Sequence, residues 1–314
     1  MNFKILSKTN GVSREEWLEL RKKGLGGSDV GAICGLNKWK SPISVYLDKV
    51  GELPNEDIES EAAYWGTVME DTVAKEFEKR TGKKVRRKNF ILQHKEYPWM
   101  LANLDRVIVG ENALLECKTA SAYKDGEWKD DVIPESYLLQ VQHYLAVTGC
   151  EKGYIATLIG GNKFVWKEIQ RDQEIIEYLI NIEKDFWENH IKIKNPPVID
   201  GSEASTQVLK MMYPEAIDTE EILLDYEAAE LIEKRNKLKA EESKLKGEIA
   251  ECENKIKVMI GAHEKATVDT YKISWKNVNS NRLDSKNLKI DHPDIYEKYC
   301  KTSISRRFSI KEVS

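Results

Sequence analysis

Residues 100–119 read MLANLDRVIVGENALLECKT. The stretch holds one acid, Asp105, after an apolar lead-in. Arg106-Val107-Ile108-Val109, a Gly110-Glu111-Asn112 turn, the apolar run Ala113-Leu114-Leu115 and then Glu116-Cys117-Lys118 follow. Two β-rich runs around a Gly/Asn turn predict a β-hairpin. Side chains alternate faces along a strand, so Glu116 and Lys118 share one face and Cys117 takes the other. Asp105, just before the first strand, comes beside Glu116 if the strands pair in the simplest register. Two carboxylates on one edge form a site for a hard divalent cation, and Mg²⁺ typically takes one or two carboxylates with waters and phosphate oxygens. A lysine two residues past the second acid can reach the attacking water or the phosphate. The chemistry this pattern points to is metal-assisted phosphodiester hydrolysis. In a chain that is 32% charged the same spacing also arises on solvated faces, so the surroundings of the hairpin carry weight.

The chain has 314 residues and 41% apolar content, enough for one large core or a core with an appendage. Net charge is −4 and the pI is near 5.9, so any nucleic-acid contact must be a local patch on an acidic body. Cys34, Cys117, Cys150, Cys252 and Cys300 are odd in number and contain no C-x-x-C pair. This argues against a disulfide framework, a zinc ribbon or an iron–sulfur cluster, and a reducing cytoplasm fits. No apolar run approaches about 18 residues and no N-terminal apolar core is present, so neither a membrane span nor a signal peptide is expected.

Residues 13–24 predict a helix with Ser13 and Glu16 as a capping box and Gly24 as its stop. Gly24-Leu25-Gly26-Gly27-Ser28-Asp29 then opens a helix over 30–34. A glycine-rich turn at a helix start presents free N–H groups and suits an anion, with Arg21 upstream as a guanidinium for phosphate; the same turn also serves as a tight packing corner with Ser28 as N-cap. Residues 41–51 predict a short helix, and the acidic stretch 52–60 a loop. Over 61–82, Ala62, Trp65, Gly66, Met69, Val73 and Phe77 follow a helical period, with Glu70 beside the stripe as an edge ion pair or a third acid aimed at a metal. Lys83, Lys84, Arg86 and Arg87 lie in the most basic run of the chain, which is either an edge strand kept soluble by charge or a DNA-backbone patch; a strand from Asn89 follows. Residues 121–131 are polar. In the helix 135–147, Gln140 sits beside Tyr137 and Tyr144, as a buried amide or a donor to phosphate or to a metal-bound water, and His143 is expected at the surface. Strands at 153–159 and 164–169 around Gly160-Gly161-Asn162, then a helix over 172–190, complete one α/β domain with a central mixed sheet.

Pro196-Pro197 and the small polar stretch 201–206 mark a boundary. Residues 222–261 predict one long helix in which Leu231, Leu238, Leu245, Cys252 and Met259 recur every seven. Ile249 and Ile256 fill the other seam position in the second half, and Arg235 and Glu242 in the first, an imperfect coiled-coil pattern. It is read as self-association, as an arm folded on the first domain, or as a partner dock. The tail is a small β-containing segment with a strand over 270–275 and a basic end around Arg306-Arg307. The domain reading is 1–198, 199–264 and 265–314.

With these residues placed, the chain resembles the YqaJ-like viral recombinases, relatives of phage lambda exonuclease within the PD-(D/E)XK nucleases. The resemblance covers about residues 12 to 190 and rests on Arg21 with Gly26-Gly27-Ser28-Asp29, Trp65-Gly66-x-x-x-Glu70, Asp105 with Glu116-Cys117-Lys118, and Tyr137-x-x-Gln140-Val141-Gln142. It implies a restriction-endonuclease-like α/β core, here extended by a long helix and a small tail. It implies Asp105 and Glu116 as metal-binding acids, the Cys117 backbone carbonyl as a further ligand, and Glu70 acting on the metal or through a water. Lys118 would position or activate the nucleophile, Gln140 would line the site, and Arg21 and Ser28 would hold a 5′-terminal phosphate. Mg²⁺, with Mn²⁺ as substitute, would be the cofactor. The implied activity is a 5′→3′ exonuclease on linear double-stranded DNA, leaving a 3′ overhang for a single-strand annealing protein. A ring-shaped homo-oligomer in the cytoplasm of a bacterial host, encoded by a phage or prophage, completes the implied picture. A metal-dependent endonuclease of the same fold and a non-catalytic DNA-binding scaffold are the alternatives. Leu104 and Thr119 depart from the prolines the family often carries at these two places.

Overall fold

The structure is a computed structural model that describes residues 2–53, 60–217, 221–302 and 305–312; most of the acidic stretch read as a loop, 54–59, lies outside the described residues. The chain forms two compact units, 1–214 and 215–314.

The first unit runs β1 (Phe3–Lys8), α1 (Arg14–Arg21), β2 (Leu25–Gly26), α2 (Gly27–Ile33), α3 (Pro42–Val50), α4 (Glu61–Thr81), β3 (Val85–Arg87), β4 (Phe90–His94), β5 (Met100–Asn103), β6 (Arg106–Ile108) and β7 (Ala113–Ala120). A 3₁₀ turn (Ala122–Trp128), α5 (Glu135–Thr148), β8 (Lys152–Ile159), β9 (Lys163–Gln170), α6 (Gln173–Phe186), which runs on into a π turn (Trp187–Ile191), and α7 (Glu203–Met212) complete it. This is the mixed α/β class read from the sequence. The expected single central sheet is, however, two sheets. A five-stranded mixed sheet has the order β3-β6-β7-β8-β9, and a four-stranded one has β1-β4-β5-β2. The lead-in 100–103 and the hairpin strand 106–108 therefore belong to different sheets, and the chain crosses between them at Leu104-Asp105.

The hairpin keeps the expected register, with Arg106 opposite Leu115 and Val107 opposite Leu114. β8 lies parallel to β7 after the α5 crossover, with Glu116 opposite Ile155. Both faces of this sheet are covered, as strands of a parallel pair require. Ala113, Leu115 and Cys117 pack on the α4 side with Val73 and Phe77. Leu114 and Ile155 pack on the α5 side with Val141 and Leu145. The alternation that buries these apolar side chains sends Glu116 and Lys118 toward α5.

Several local expectations are corrected. α1 ends at Lys22 rather than at Gly24; a side chain at Gly24 would meet the Trp99 carbonyl at 2.5 Å. Ser28 is not the N-cap of α2. Gly26 takes that place, its N–H bonded to Asp29 Oδ2 at 3.0 Å, which leaves the Ser28 hydroxyl free for Arg21. Of the α4 stripe, Val73 and Phe77 are buried, but Trp65 and its neighbours are exposed, because the first turns of α4 extend past the core. The polar stretch after Asp200 opens α7, capped by Ser202 and packed on α3.

His143, expected at the surface, is fully buried. α5 is enclosed by β8, by β4 and β5 of the second sheet, by α2 and by α6, so even its polar positions lie inside. The His143 ring sits between Glu183 Oε1 and the Leu101 carbonyl, each at 2.8 Å. Both ring nitrogens lie within hydrogen-bond distance of an oxygen. Burial opposes the imidazolium, but the Glu183 carboxylate and the Leu101 carbonyl hold its pKa above the ordinary histidine value.

Asp29 is the other buried polar hub. Lys40 Nζ lies 2.7 Å and Lys49 Nζ 2.8 Å from its carboxylate, with Arg21 at 3.9 Å. Burial works against its ionisation, yet these three cations hold its pKa well below the usual carboxylate range. Lys49 also donates to the Arg21 carbonyl at 3.0 Å, tying the end of α1 to the start of α2.

In the second unit α8 (Tyr226–Ile260) is a single 35-residue helix, followed by the antiparallel hairpin β10 (Lys265–Val268) and β11 (Tyr271–Ser274). Two further helices, α9 (Ser285–Asp291) and α10 (Pro293–Tyr299), were not foreseen. Along α8, Glu242–Lys246 and Glu251–Lys255 pair at i,i+4, the spacing that supports an exposed helix. Among the described residues no helix is long and apolar enough to cross a membrane.

The buried polar groups make two outcomes measurable. Asp29→Asn strands the buried Lys49 ammonium and should cost about 3–5 kcal/mol, read as a lowered urea midpoint. For His143 the folded-state pKa is raised, so its contribution is complete below pH about 6.5 and is lost as pH climbs through the raised value. The stability gap between wild type and His143→Gln, measured by urea unfolding, should therefore narrow as pH rises above neutrality.

Candidate active site

Asp105 leaves β6 where the ladder ends, and its Oδ2 accepts the Cys117 N–H at 2.8 Å. The carboxylate takes the place of a strand neighbour for a β7 amide that β6 no longer reaches. This draws Asp105 onto the α5 side of the sheet beside Glu116. Glu116 is 4% exposed; its Oε1 accepts from Gln140 Nε2 at 2.6 Å and pairs with Lys118 Nζ at 2.7 Å. Gln140 also donates to the Tyr144 hydroxyl at 3.2 Å, and the Lys118 ammonium stands 5.2 Å from the Tyr137 ring centroid.

The electrostatics follow from burial. Asp105 is pushed well above its usual value, first by desolvation and then by the Glu116 charge, with Lys118 opposing. Burial disfavours the Lys118 ammonium, but the Glu116 and Asp105 carboxylates outweigh it and raise its pKa. Tyr144 is raised by burial and by the same two acids. Burial and the two acids likewise raise the Cys117 thiol, so it remains a neutral thiol packed toward α4.

Glu70 falls on the other face. Its helix packs on the side of Ala113 and Leu115, and its Oε1 is held by Arg106 Nη1, whose Nη2 reaches Asp71 at 3.2 Å. Arg106 in turn donates to the Asp105 carbonyl at 2.7 Å. Of the two readings open for Glu70, the ion pair is the one seen, although its charge still acts on Asp105. Asp29, Lys40, Lys49, Arg106 and Tyr144 complete the surroundings. Asp29 was legible only as part of the glycine turn and Tyr144 only as a neighbour of Gln140, and nothing local marked the roles of Lys40, Lys49 and Arg106.

Asp105 and Gln140 open onto a cleft of about 180 Å³ that Trp17, Arg21, Gly27, Ser28 and Asn103, among others, also line. Arg21 Nη2 donates to Ser28 Oγ at 3.2 Å, and its guanidinium lies 4.7 Å over the Trp17 ring. A side chain at Gly27 would stand 2.6 Å from the Tyr144 ring, so only glycine lets the start of α2 approach α5 this closely. The cleft thus carries a guanidinium and a hydroxyl together with the Asp105 carboxylate and the Gln140 amide; Glu116, bonded to Gln140 and paired with Lys118, lies next to it. The basic run lies elsewhere, on edge strand β3. There Lys83 is paired with Glu111 and Arg87 lies 3.7 Å from Asp71.

Among the described residues no group of three or more His, Cys, Asp or Glu side chains forms a metal cage. Two neighbouring acids remain, half-buried Asp105 and buried Glu116, and Glu116 Oε2 is buried with no hydrogen-bond partner. An orphaned carboxylate oxygen beside a second carboxylate fits Mg²⁺, which completes its shell with water and phosphate oxygens.

Residues 16–151 match the model of the YqaJ-like viral recombinase domain. The chain is 51% identical over 312 residues to the uncharacterized protein YqaJ of Bacillus subtilis (strain 168), covering 99% of this chain and 98% of that one. Among solved structures it is similar to the alkaline exonuclease LHK-Exo from Laribacter hongkongensis, at 18% identity and TM-score 0.47 over 56% of this chain and 91% of that one. It is also similar to LHK-Exo in complex with dAMP, at 20% identity and TM-score 0.49 over 62% and 96%. With half its residues identical to those of YqaJ over nearly the full length of both, the chain belongs to the YqaJ-like viral recombinase family.

Proposed function

We propose that the chain is a metal-dependent deoxyribonuclease that degrades linear double-stranded DNA from its 5′ ends. The observation that carries this reading is the clustering of Asp105, Glu116 and Lys118 beside a cleft that Asp105 lines together with Arg21 and Ser28. Asp105 and Glu116, with the Cys117 carbonyl, would hold Mg²⁺ or Mn²⁺, and the bound ion would supply an acidified water and neutralise phosphate charge. The protein's own groups do the rest. Gln140 and Lys118 both hold the Oε1 oxygen of Glu116. Lys118, as an ammonium, donates to the attacking water or the scissile phosphate. Arg106 and Glu70 lock the backbone carbonyl of Asp105 and so its orientation. Arg21 presents a guanidinium suited to the two oxygens of a terminal phosphate, and Ser28 a hydroxyl.

A site that grips a phosphate beside its hydrolytic groups favours chain ends over internal positions, because only an end offers a terminal phosphate. The product is a duplex with a 3′ single-stranded overhang. A single-strand annealing protein as its user, a ring-shaped homo-oligomer threaded by DNA, and a phage or prophage setting in a bacterial cytoplasm belong to the same reading and rest on the family resemblance.

An end-labelled linear duplex incubated with Mg²⁺ should shorten from the 5′ end, and chelation should stop it. Lys118→Ala and Glu116→Gln should each lower the rate by about a hundredfold or more while folding as wild type does. Full activity in both variants would refute the assignment, and cutting of covalently closed circles would replace the exonuclease by an endonuclease. Separately, Arg21→Ala with Ser28→Ala should abolish the preference for 5′-phosphorylated over 5′-hydroxyl ends, raising KM for the former with little change in kcat.

A further inference from the structure

Helix α8 spans 35 residues, about 52 Å at 1.5 Å per residue, and its seam is uncovered. Leu231, Leu238, Leu245, Ile249, Ile256 and Met259 are all between 41% and 84% exposed. The other helices of this unit have seven residues each, too short to cover it. Repeated apolar side chains on one seven-residue spacing are the signature of a helix paired with another. We propose that α8 pairs antiparallel with α8 of a second copy of this chain, aligned so that Leu231 of one helix faces Ile249 of the other.

Charge selects the partner and the alignment. In a parallel in-register pair, equivalent seam positions meet. Arg235 would face Arg235 and Glu242 would face Glu242. On the flanks Lys234 would meet Lys239 and Glu248 would meet Glu253, with only Glu241 and Lys246 in favour. In the antiparallel alignment, Arg235 faces Leu245 of the second copy and Glu242 faces its Leu238. Arg235 and Glu242 of opposite chains then lie one layer apart, and the twofold axis makes the pair occur twice. Lys234 meets Glu248 and Glu227 meets Lys255, also twice each; against them, within the helix, stand only Glu241 and Lys239, each beside its own equivalent. Sliding this pair by one heptad, so that Leu231 faces Ile256, sets Glu241 against Glu248, Lys234 against Lys255 and Lys239 against Lys246. Opposite charges on facing flanks set the choice of partner and orientation, and a helix that complements itself in one alignment is matched by a copy of itself.

The alignment places Ala228 opposite Cys252, with the two Cys252 residues 24 positions apart along the axis, about 36 Å. The test uses the full chain with the exposed Cys300 and half-buried Cys34 changed to serine, under mild oxidation and without DNA. Its outcome is therefore separate from that of the nuclease reading, and association through the first unit cannot produce the signal. The expected result is no disulfide dimer through Cys252 alone and a disulfide dimer once Ala228→Cys is added. Lys234→Glu should reduce the dimer, and Lys234→Glu with Glu248→Lys should restore it. A Cys252–Cys252 dimer without the added cysteine would show parallel pairing and overturn the proposal. No dimer with Ala228→Cys, as expected if a different protein covers the seam, would overturn it too, as would failure of the charge swap to restore the dimer.

Discussion

The hydrogen bond from the Cys117 N–H to Asp105 Oδ2 holds the site together. At Asp105 the chain leaves one sheet for the other, and a chain that changes sheets leaves a ladder amide without a backbone partner. The aspartate side chain fills that vacancy. In doing so it is fixed within the field of Glu116, so a structural obligation of the backbone brings two like charges together in a buried place. Neutral side chains could not accept this bond and also supply an anionic oxygen. The need to satisfy the β7 amide and the need for clustered acids meet in one residue.

Everything nearby steadies that arrangement. Arg106, directly after the crossing, is 3% exposed in its side chain and binds Glu70, Asp71 and the Asp105 carbonyl. On the other side of the sheet Gln140 and Lys118 bind Glu116. His143, one turn of α5 beyond Gln140, holds the Leu101 carbonyl of β5, the strand that delivers the chain to Asp105. The Asp29 cluster does the equivalent for α1 and α2, so Arg21 is presented from a packed, charge-compensated corner. Polar groups buried this deeply contribute little net stability when fully paired, but removing one partner is costly. Their contribution is position.

What was legible in the sequence is what local periodicity encodes. The period of two around Gly110-Glu111-Asn112 located the hairpin, its register and the shared face of Glu116 and Lys118, and the period of 3.6 located α4, α5, α6 and α8. What escaped is non-local. Strand pairing partners are not written in a strand's own residues, so one expected sheet became two, and β1, which pairs with β4, was not anticipated. His143 looks like a surface residue on a helical wheel, and only the enclosure of α5 by two sheets and two helices makes it internal. Lys40 and Lys49 carry no local mark of their salt bridges to Asp29, because the three meet only when α2 and α3 pack together.

Strand parity decides how Glu70 and Glu116 divide their work. Both are acids near Asp105, and proximity alone would make them equivalent. Arg106 lies opposite Leu115 and therefore faces α4; Glu116, one residue on, faces α5. Glu70, carried by α4, is paired with that guanidinium, which it shares with Asp71. Glu116 meets an ammonium and an amide on one oxygen, and its other oxygen is buried without a partner. A buried anionic oxygen left unpaired is expensive. The carboxylate oxygen without a hydrogen bond therefore sits on the face shared with Asp105, while the Glu70 carboxylate is paired with Arg106 on the other.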